Sequence, residues 1–502
     1  MLSRQKNLTL TAAAVLLTLE TLRGILVQVD LDPQAVLTTD LCRQLISEKI
    51  FQLRPDFYGE KYPHWPGSVG LEVEMLPLES HTGITPKSVQ LHGSTNSLTN
   101  MLKGLAKSNQ WTIHSDKSLV SRIEMEQGDN LTFEPGGQLE FSSSPYPCLS
   151  DGVRRLKYIQ KKLDQNLAQN NWNLVQIGVN PWHKVSELGL QMPKPRYQAM
   201  DHYFASLGPY GQRMMRQTCT IQTCVDFGAS ETEMAKRFLA SQLLAPFATA
   251  IFTYSPVIEG QFASMLGFRA HIWRNLDPTR TGIPDLNLLQ KNLDKSACVE
   301  TYFDFAMAAN VIFVESLNYK VPETPLSFAQ WLEHGFEGQS PKLADFENHL
   351  SLLFPEVRPR GFLELRSVDA QARIWQVVPA AFYTGLLYAP QKLDAVLDLL
   401  LPIANNLPEL LSQASFGLSN TQIRENSQKL IQLAWEGFKL LPPCFRGEGT
   451  EKSLRVFEEL FTSKGRTPAD DLMDELQDSK QKTWGTEMLI TLEEKWNNKL
   501  NS

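Results

Sequence analysis

TFEPGGQLEFSSSP, residues 132–145, begins as a strand, breaks at Gly136-Gly137 and resumes as a second strand. Two short runs joined through glycine predict an antiparallel hairpin. The second arm sets Glu140 between Leu139 and Phe141, and Glu134 stands at the lip of the turn. Residues two apart share a strand face, so Gln138 and Glu140 oppose Leu139 and Phe141. A carboxylate held there, next to the hydroxyls of Ser142–Ser144, needs a reason.

The same arrangement recurs elsewhere. In GLEVEML (70–76) Glu72 and Glu74 share a face, with Leu71, Val73 and Met75 behind them. In TCTIQTCVDF (218–227) the polar face is Thr218, Thr220, Gln222, Cys224 and Asp226. In FLELRSVD (362–369) Phe362, Glu364 and Arg366 oppose Leu363 and Leu365. One Glu-x-Glu alone marks a solvated sheet face. Four such segments without a lysine on their polar faces point further, because gathered carboxylates repel unless protonated or bridged by a cation. Oxygen donors favour Mg²⁺ or Mn²⁺. Glu140, with Glu134, is therefore expected to hold a divalent metal that in turn holds phosphates. Arg366 adds a planar fork suited to phosphate or carboxylate. Taken alone, the Gly-Gly turn reads equally as an ordinary hairpin connection.

Around these strands the chain reads as helical. Residues 1–55 form helices, capped at Thr39 or Asp40 in their second part. An amphipathic helix runs from Ser150 to about Gln169, and another opens at the box Ser230…Glu233. Almost everything after Pro379 is helical, with Thr467 as a cap and Pro468 at a first helical position. The class is α+β: N-terminal helices over 1–59, an antiparallel-sheet body over 60–388, and a helical region over 389–502 packed on the same body.

The 502 residues are 42% hydrophobic and 21% charged with a net charge of −7, an ordinary globular composition that argues against a nucleic-acid surface. No apolar run is long enough to cross a bilayer, and Glu20 and Arg23 interrupt the one that resembles a signal peptide. The six cysteines form no CxxC pair, so zinc-ribbon and thioredoxin-like readings fail. Reduced thiols in a cytoplasmic protein are the expectation.

The ordered set GLEVEML, FEPGGQLEFSSSP, MPKPRYQAM, MMRQTCTIQTCVDF, RAHIWRNLDPTRTG and FPEVRPRGFLELRSVDA, spread over about Gly67 to Tyr388, resembles the glutamate–cysteine ligase family in its plant-type and proteobacterial branch. The resemblance implies a glutamine-synthetase-like fold, a curved antiparallel sheet forming a funnel flanked by helices. It implies that ATP phosphorylates the side-chain carboxylate of L-glutamate and that the amine of L-cysteine attacks the acyl phosphate. By the same resemblance Glu72, Glu74, Glu140 and Glu364 match metal ligands, and Arg366 faces the transferring phosphoryl group. Arg269 joins Arg366 as a catalytic candidate. Lys194, Arg196, Tyr197, Gln222 and Arg280 are candidates to bind substrate and nucleotide.

The chain has no GxxxxGK[ST] loop, no GxGxxG after a strand and no HExxH, so ATP is expected to bind through metal and carboxylates. Three departures from the branch bear on the substrate side: Cys224 replaces an Asn, Arg216 sits one place early with Gln217 behind it, and Pro195 stands where relatives often carry Gly. The expected partners are the small molecules alone, on a monomer or homodimer. The rival readings are a carboxylate–amine ligase with another acceptor, as in ergothioneine-pathway relatives, and an inactive relative serving as a scaffold. Like-charge repulsion predicts that glutamine at Glu74 or Glu364 removes activity and spares the fold.

Overall fold

The alternating segments become strands wherever they can bury one face and pair on both edges. The computed structural model describes residues 32–53, 65–80, 84–93, 96–116, 119–478 and 485–501. Its longest strand, β1 (Val69–Glu79), is followed by β2 (Lys87–Ser88), β3 (Thr112–Asp116), β4 (Leu119–Glu124), β5 (Asn130–Phe133) and β6 (Leu139–Ser142). Next come β7 (Trp172–Val175), β8 (Ile221–Val225), a separate hairpin of β9 (Val257–Ile258) and β10 (Gln261–Phe262), and finally β11 (Val357–Pro359) and β12 (Leu363–Leu365).

The main sheet runs β11-β12-β8-β1-β6-β5-β4-β3, with β2 and β7 also pairing to β1, and every pairing is antiparallel. Register follows the hydrophobic pattern, because a one-residue slip would turn each apolar set outward. Val73 stands opposite Phe141 and Ile221, and Glu74 opposite Glu140. Leu71, Val73, Met75, Leu139, Phe141, Ile221, Val225, Leu363 and Leu365 are all at most 2% exposed. Helices Leu149–Leu167 and Val378–Leu387 pack against this sheet, and the same hydrophobic core continues from Leu37 to Trp496. The C-terminal helices therefore share the core of the sheet. A second, smaller apolar cluster, including Met200, Phe204, Met215, Trp273 and Phe354, is built mainly from helices Pro195–Leu207, Tyr210–Gln217 and Phe268–Arg274.

Several local expectations are refined. The helix Thr39–Leu45 is capped by Thr38, whose hydroxyl accepts from Leu41 N, so neither Thr39 nor Asp40 caps it. The earlier part of the expected N-terminal helices, 1–31, lies outside the described residues, as does the loop 54–64. Ser230 caps the helix Glu231–Ile251, but the Glu233 carboxylate reaches back to Ala229 N, one residue before the predicted box partner. No helix among the described residues is long and apolar enough to cross a membrane.

The cysteine expectation is corrected. Cys148 and Cys444 form a disulfide across 296 residues of sequence, with Cα atoms 5.6 Å apart. Cys42, Cys219, Cys224 and Cys298 are free and buried. A pairing over that distance leaves no spacing signal; only folding brings the start of helix Leu149–Leu167 beside the turn Pro443–Phe445. Because the bond closes a long loop in the unfolded chain, Cys148→Ser is expected to lower stability by roughly 2–4 kcal/mol. Denaturant melts with and without reductant check this: wild type should fall to the variant's midpoint on reduction, and the variant should not respond.

Candidate active site

The polar face of the sheet and the smaller apolar cluster enclose a cavity of about 350 Å³. Glu72, Glu74, Glu134 and Glu140 line one side, and Arg196, Arg269, Arg358, Arg360 and Arg366 contribute cationic walls. Met200, Met214, Met215, Trp273 and Phe354 give it an apolar side.

The hairpin at 132–145 shows how the acidic side is built. Leu139 and Phe141 enter the core, so Glu140 must face the cavity, where its Oε1 accepts from Thr132 Oγ1 and Ser142 Oγ, both at 2.6 Å. The turn is seated by Gly136 N donating to Met215 O at 3.2 Å and Gln191 N donating to Pro135 O at 2.7 Å. A Cβ on Gly136 would lie 2.5 Å from the Arg216 Cα and carbonyl oxygen, so only glycine permits this approach. Gly137 has φ +92°. The docked turn delivers Glu134 to the other carboxylates: one oxygen each from Glu74, Glu134 and Glu140 lies within 4.8 Å of the others.

Glu74 is only 7% exposed, and its Oε2 accepts from Thr220 N at 2.9 Å. Burial first, then Glu134 and Glu140, push its carboxyl well above the usual range. Burial and Glu140 raise Glu134 to about 7, while burial, Glu364 and Glu140 raise Glu72 to about 8. Carboxyl groups whose ionisation is opposed by burial and by one another are thus gathered on one side of the cavity. An oxygen-only donor set of this kind fits a hard divalent cation such as Mg²⁺ or Mn²⁺.

Glu364 has the opposite surroundings. It is fully buried and does not line the cavity; its oxygens accept from Arg358 Nε (2.6 Å) and Nη2 (3.0 Å), Arg360 Nη1 (2.9 Å) and Arg366 Nη1 (2.8 Å). Burial opposes its ionisation, but Arg358, Arg366 and Arg360 prevail and hold it well below the usual carboxylate range. The expectation that like-charge repulsion governs Glu364 as it governs Glu74 is therefore corrected.

The remaining candidates divide. Gln222 bridges the two charge systems, accepting from Arg366 Nη1 at 2.8 Å and donating to Glu74 Oε1 at 3.4 Å. Arg196 and Tyr197 line the cavity; Lys194, just before their helix, does not. Arg280 is not brought to the cavity either: it is fully buried, pairing with Asp277 at 2.7 Å and donating to Leu352 O and Asn310 O. Of the three departures, the shifted pair has Arg216 bound to Asp201 and Gln217 Nε2 donating to His183 O at 2.7 Å, Cys224 is buried opposite Glu364, and Pro195 is the first residue of helix Pro195–Leu207.

Arg358 and Arg360 were missed in the sequence, although a signal was there. VRPRGFLELR is a hairpin with Arg358 directly opposite Glu364 and Gly361 at φ +77° in the turn, so cation and carboxylate had to meet on one face.

The raised carboxyls give a pH dependence. A folded-state pKa above the unfolded value means the folded form binds the extra proton, so stability from Glu72 and Glu134 is complete below about 4.5 and is lost as pH rises through about 7 and 8. In chelator, the melting temperature should fall across that window. With Mg²⁺ present the fall should flatten, and parallel curves with and without Mg²⁺ would contradict a metal role for these groups.

Comparison with known proteins agrees with the motifs. A family described as Glutamate-cysteine ligase family 2(GCS2) matches residues 68–491. The chain is 30% identical over 393 residues to the chloroplastic glutamate–cysteine ligase of Arabidopsis thaliana, covering 75% of this chain and 71% of that one. It is 31% identical over 389 residues to the chloroplastic glutamate–cysteine ligase B of Oryza sativa subsp. japonica, covering 75% of each. Among solved structures, a bifunctional glutathione synthetase from Pasteurella multocida aligns with a TM-score of 0.42 and 13% identity, over 93% of this chain and 54% of that one. With its six motifs inside the matched span and four of their carboxylates around one cavity, the chain belongs to the glutamate–cysteine ligase family 2.

Proposed function

We propose that this chain joins the γ-carboxylate of L-glutamate to the amine of L-cysteine, coupled to conversion of ATP to ADP and phosphate, to make γ-glutamylcysteine for glutathione synthesis. The observation that carries the reading is the cavity, in a chain of this family, where the trio Glu74, Glu134 and Glu140 stands with Arg366 and Arg269. A γ-carboxylate oxygen attacks the terminal phosphorus of ATP and ADP leaves. The neutral amine of cysteine then attacks the acyl carbon, phosphate leaves, and the nitrogen loses a proton.

Phosphoryl transfer demands positioning and charge neutralisation rather than covalent help from the protein. Mg²⁺ or Mn²⁺, held by Glu74, Glu134 and Glu140 with Glu72 beside them, would neutralise the phosphates. Arg366 keeps Nη1 on Gln222 and Glu364, which fixes the plane of its fork, while its buried Nε has no hydrogen-bond partner. We assign Arg366, which lines the cavity, to a transferring phosphoryl group. Arg269 Nε is likewise buried without a partner, and we assign Arg269 to a carboxylate of the amino-acid donor. The apolar side at Met200, Met214 and Met215 excludes water from the acyl phosphate.

The proposal extends to architecture and setting: a glutamine-synthetase-like sheet with the cavity on its concave side, the division at residues 59 and 388, and a cytoplasmic monomer or homodimer. The deciding experiment measures phosphate release with Mg²⁺, ATP and glutamate, with and without cysteine, and identifies the product by mass. Turnover requiring cysteine supports the reading. A stronger response to another amine would reassign the acceptor, and no turnover with any amine would overturn the enzyme.

A further inference from the structure

Arg269 is 2% exposed and lines the cavity, and its buried Nε has no hydrogen-bond partner. A long buried cation stays in one orientation only if neighbours fix it. Three contacts hold the residue, one at its main chain and two at its guanidinium: its backbone N donates to Ser255 Oγ at 3.1 Å, its Nη2 donates to the carbonyl of Arg366 at 2.8 Å, and its Nη1 stands 3.8 Å from Asp369 Oδ1. The ring of Trp273 lies 4.9 Å from the guanidinium carbon.

Two of these restraints lead back to one residue. Asp369 Oδ2 accepts from Ser255 Oγ at 2.7 Å and from Tyr254 N at 2.8 Å, so it orients the hydroxyl that receives Arg269 N. Its other oxygen faces the guanidinium. Asp369 is 2% exposed and does not line the cavity, so it cannot touch a substrate there. The fold makes room for it: a Cβ on Gly178 would lie 2.5 Å from Asp369 Cγ. Asp369 also forms a backbone bridge with Thr220, the residue whose N–H holds Glu74. Without a counter-charge behind it, Arg269 would be drawn toward Glu74, whose ionised form it already favours.

We infer that Asp369, with Ser255 as its relay, is a positioning residue that holds the Arg269 guanidinium away from the carboxylate trio and open to a carboxylate of the amino-acid donor. This rests on the donor assignment of Arg269 made above. Asp369→Asn keeps the shape and can still accept from Tyr254 N, but it removes the charge.

The test measures initial rates of the full chain with glutamate and ATP varied separately, for Asp369→Asn, Ser255→Ala and Arg269→Lys. Losing a charge-assisted restraint predicts a glutamate KM about tenfold higher or more in Asp369→Asn, with the ATP KM within about twofold of wild type. Ser255→Ala should move the same constant by less. An unchanged glutamate KM in Asp369→Asn beside a raised one in Arg269→Lys overturns the inference and leaves the donor assignment standing. If Arg269→Lys also leaves it unchanged, the donor assignment itself falls. Equal increases in both KM values reduce Asp369 to general support of the fold. Should Asp369→Asn not fold, Ser255→Ala decides: a selective rise in glutamate KM supports the relay, and no change overturns it.

Discussion

Glu74→Gln will lower kcat by about a thousandfold or more, on the several kcal/mol that metal-assisted charge neutralisation contributes at about 1.4 kcal/mol per tenfold. The same substitution will raise the stability of the metal-free protein. Glutamine keeps an oxygen to accept from Thr220 N, so the junction of β1 and β8 is preserved. What disappears is a buried carboxyl that Glu134 and Glu140 repel. A group whose proton affinity is raised by folding opposes folding wherever the unfolded chain would ionise it, so removing it stabilises the folded chain near neutral pH. Phosphate-release kinetics and chelator melts measure the two effects on one sample. Near-wild-type turnover would take Glu74 out of the chemistry, and a lower melting temperature in chelator would mean that the trio is not a repulsive cluster.

Glu74 and Glu364 look alike in the sequence: each stands between apolar residues, in VEM and LEL, on a strand with one polar face. Alternation correctly placed Glu72, Glu74, Glu140 and Arg366 toward one side, because the apolar residues beside them had a core to enter. Composition could not give register, and register is what sets Glu74 against Glu140 and Glu364 against Arg358. The arginines of VRPRG read as turn residues until the hairpin closes. Arg280, in PTRTG, looked as available as Arg269, yet helix Pro278–Thr281 turns it toward Asp277. Asp369 and the partner of Cys148 were silent for the same reason: each acts on a residue about a hundred or more positions away, brought near only by the assembled sheet and helices.

The strongest contrast follows from that difference in environment. Glu364→Gln is expected to lose activity and stability together, with unfolding free energy lower by roughly 3–5 kcal/mol, because removing one partner of a buried ion pair leaves charge uncompensated. Three guanidiniums converge on this carboxylate, and Arg358 is clasped by both of its oxygens. A neutral amide offers one acceptor where two charged oxygens stood, and its NH₂ points a donor at donors. Arg366 would then lose the contact that fixes its fork, so the phosphoryl side of the cavity is disordered from behind. Arg358→Met in the Glu364→Gln background removes one of the stranded cations and should recover part of the lost stability, whereas Arg358→Met alone should destabilise. A double-mutant cycle on denaturant midpoints reads this coupling directly. Additive losses, or a Glu364→Gln variant as stable as Glu74→Gln, would show that the arginines are not held by Glu364 and that the two carboxylates are equivalent after all.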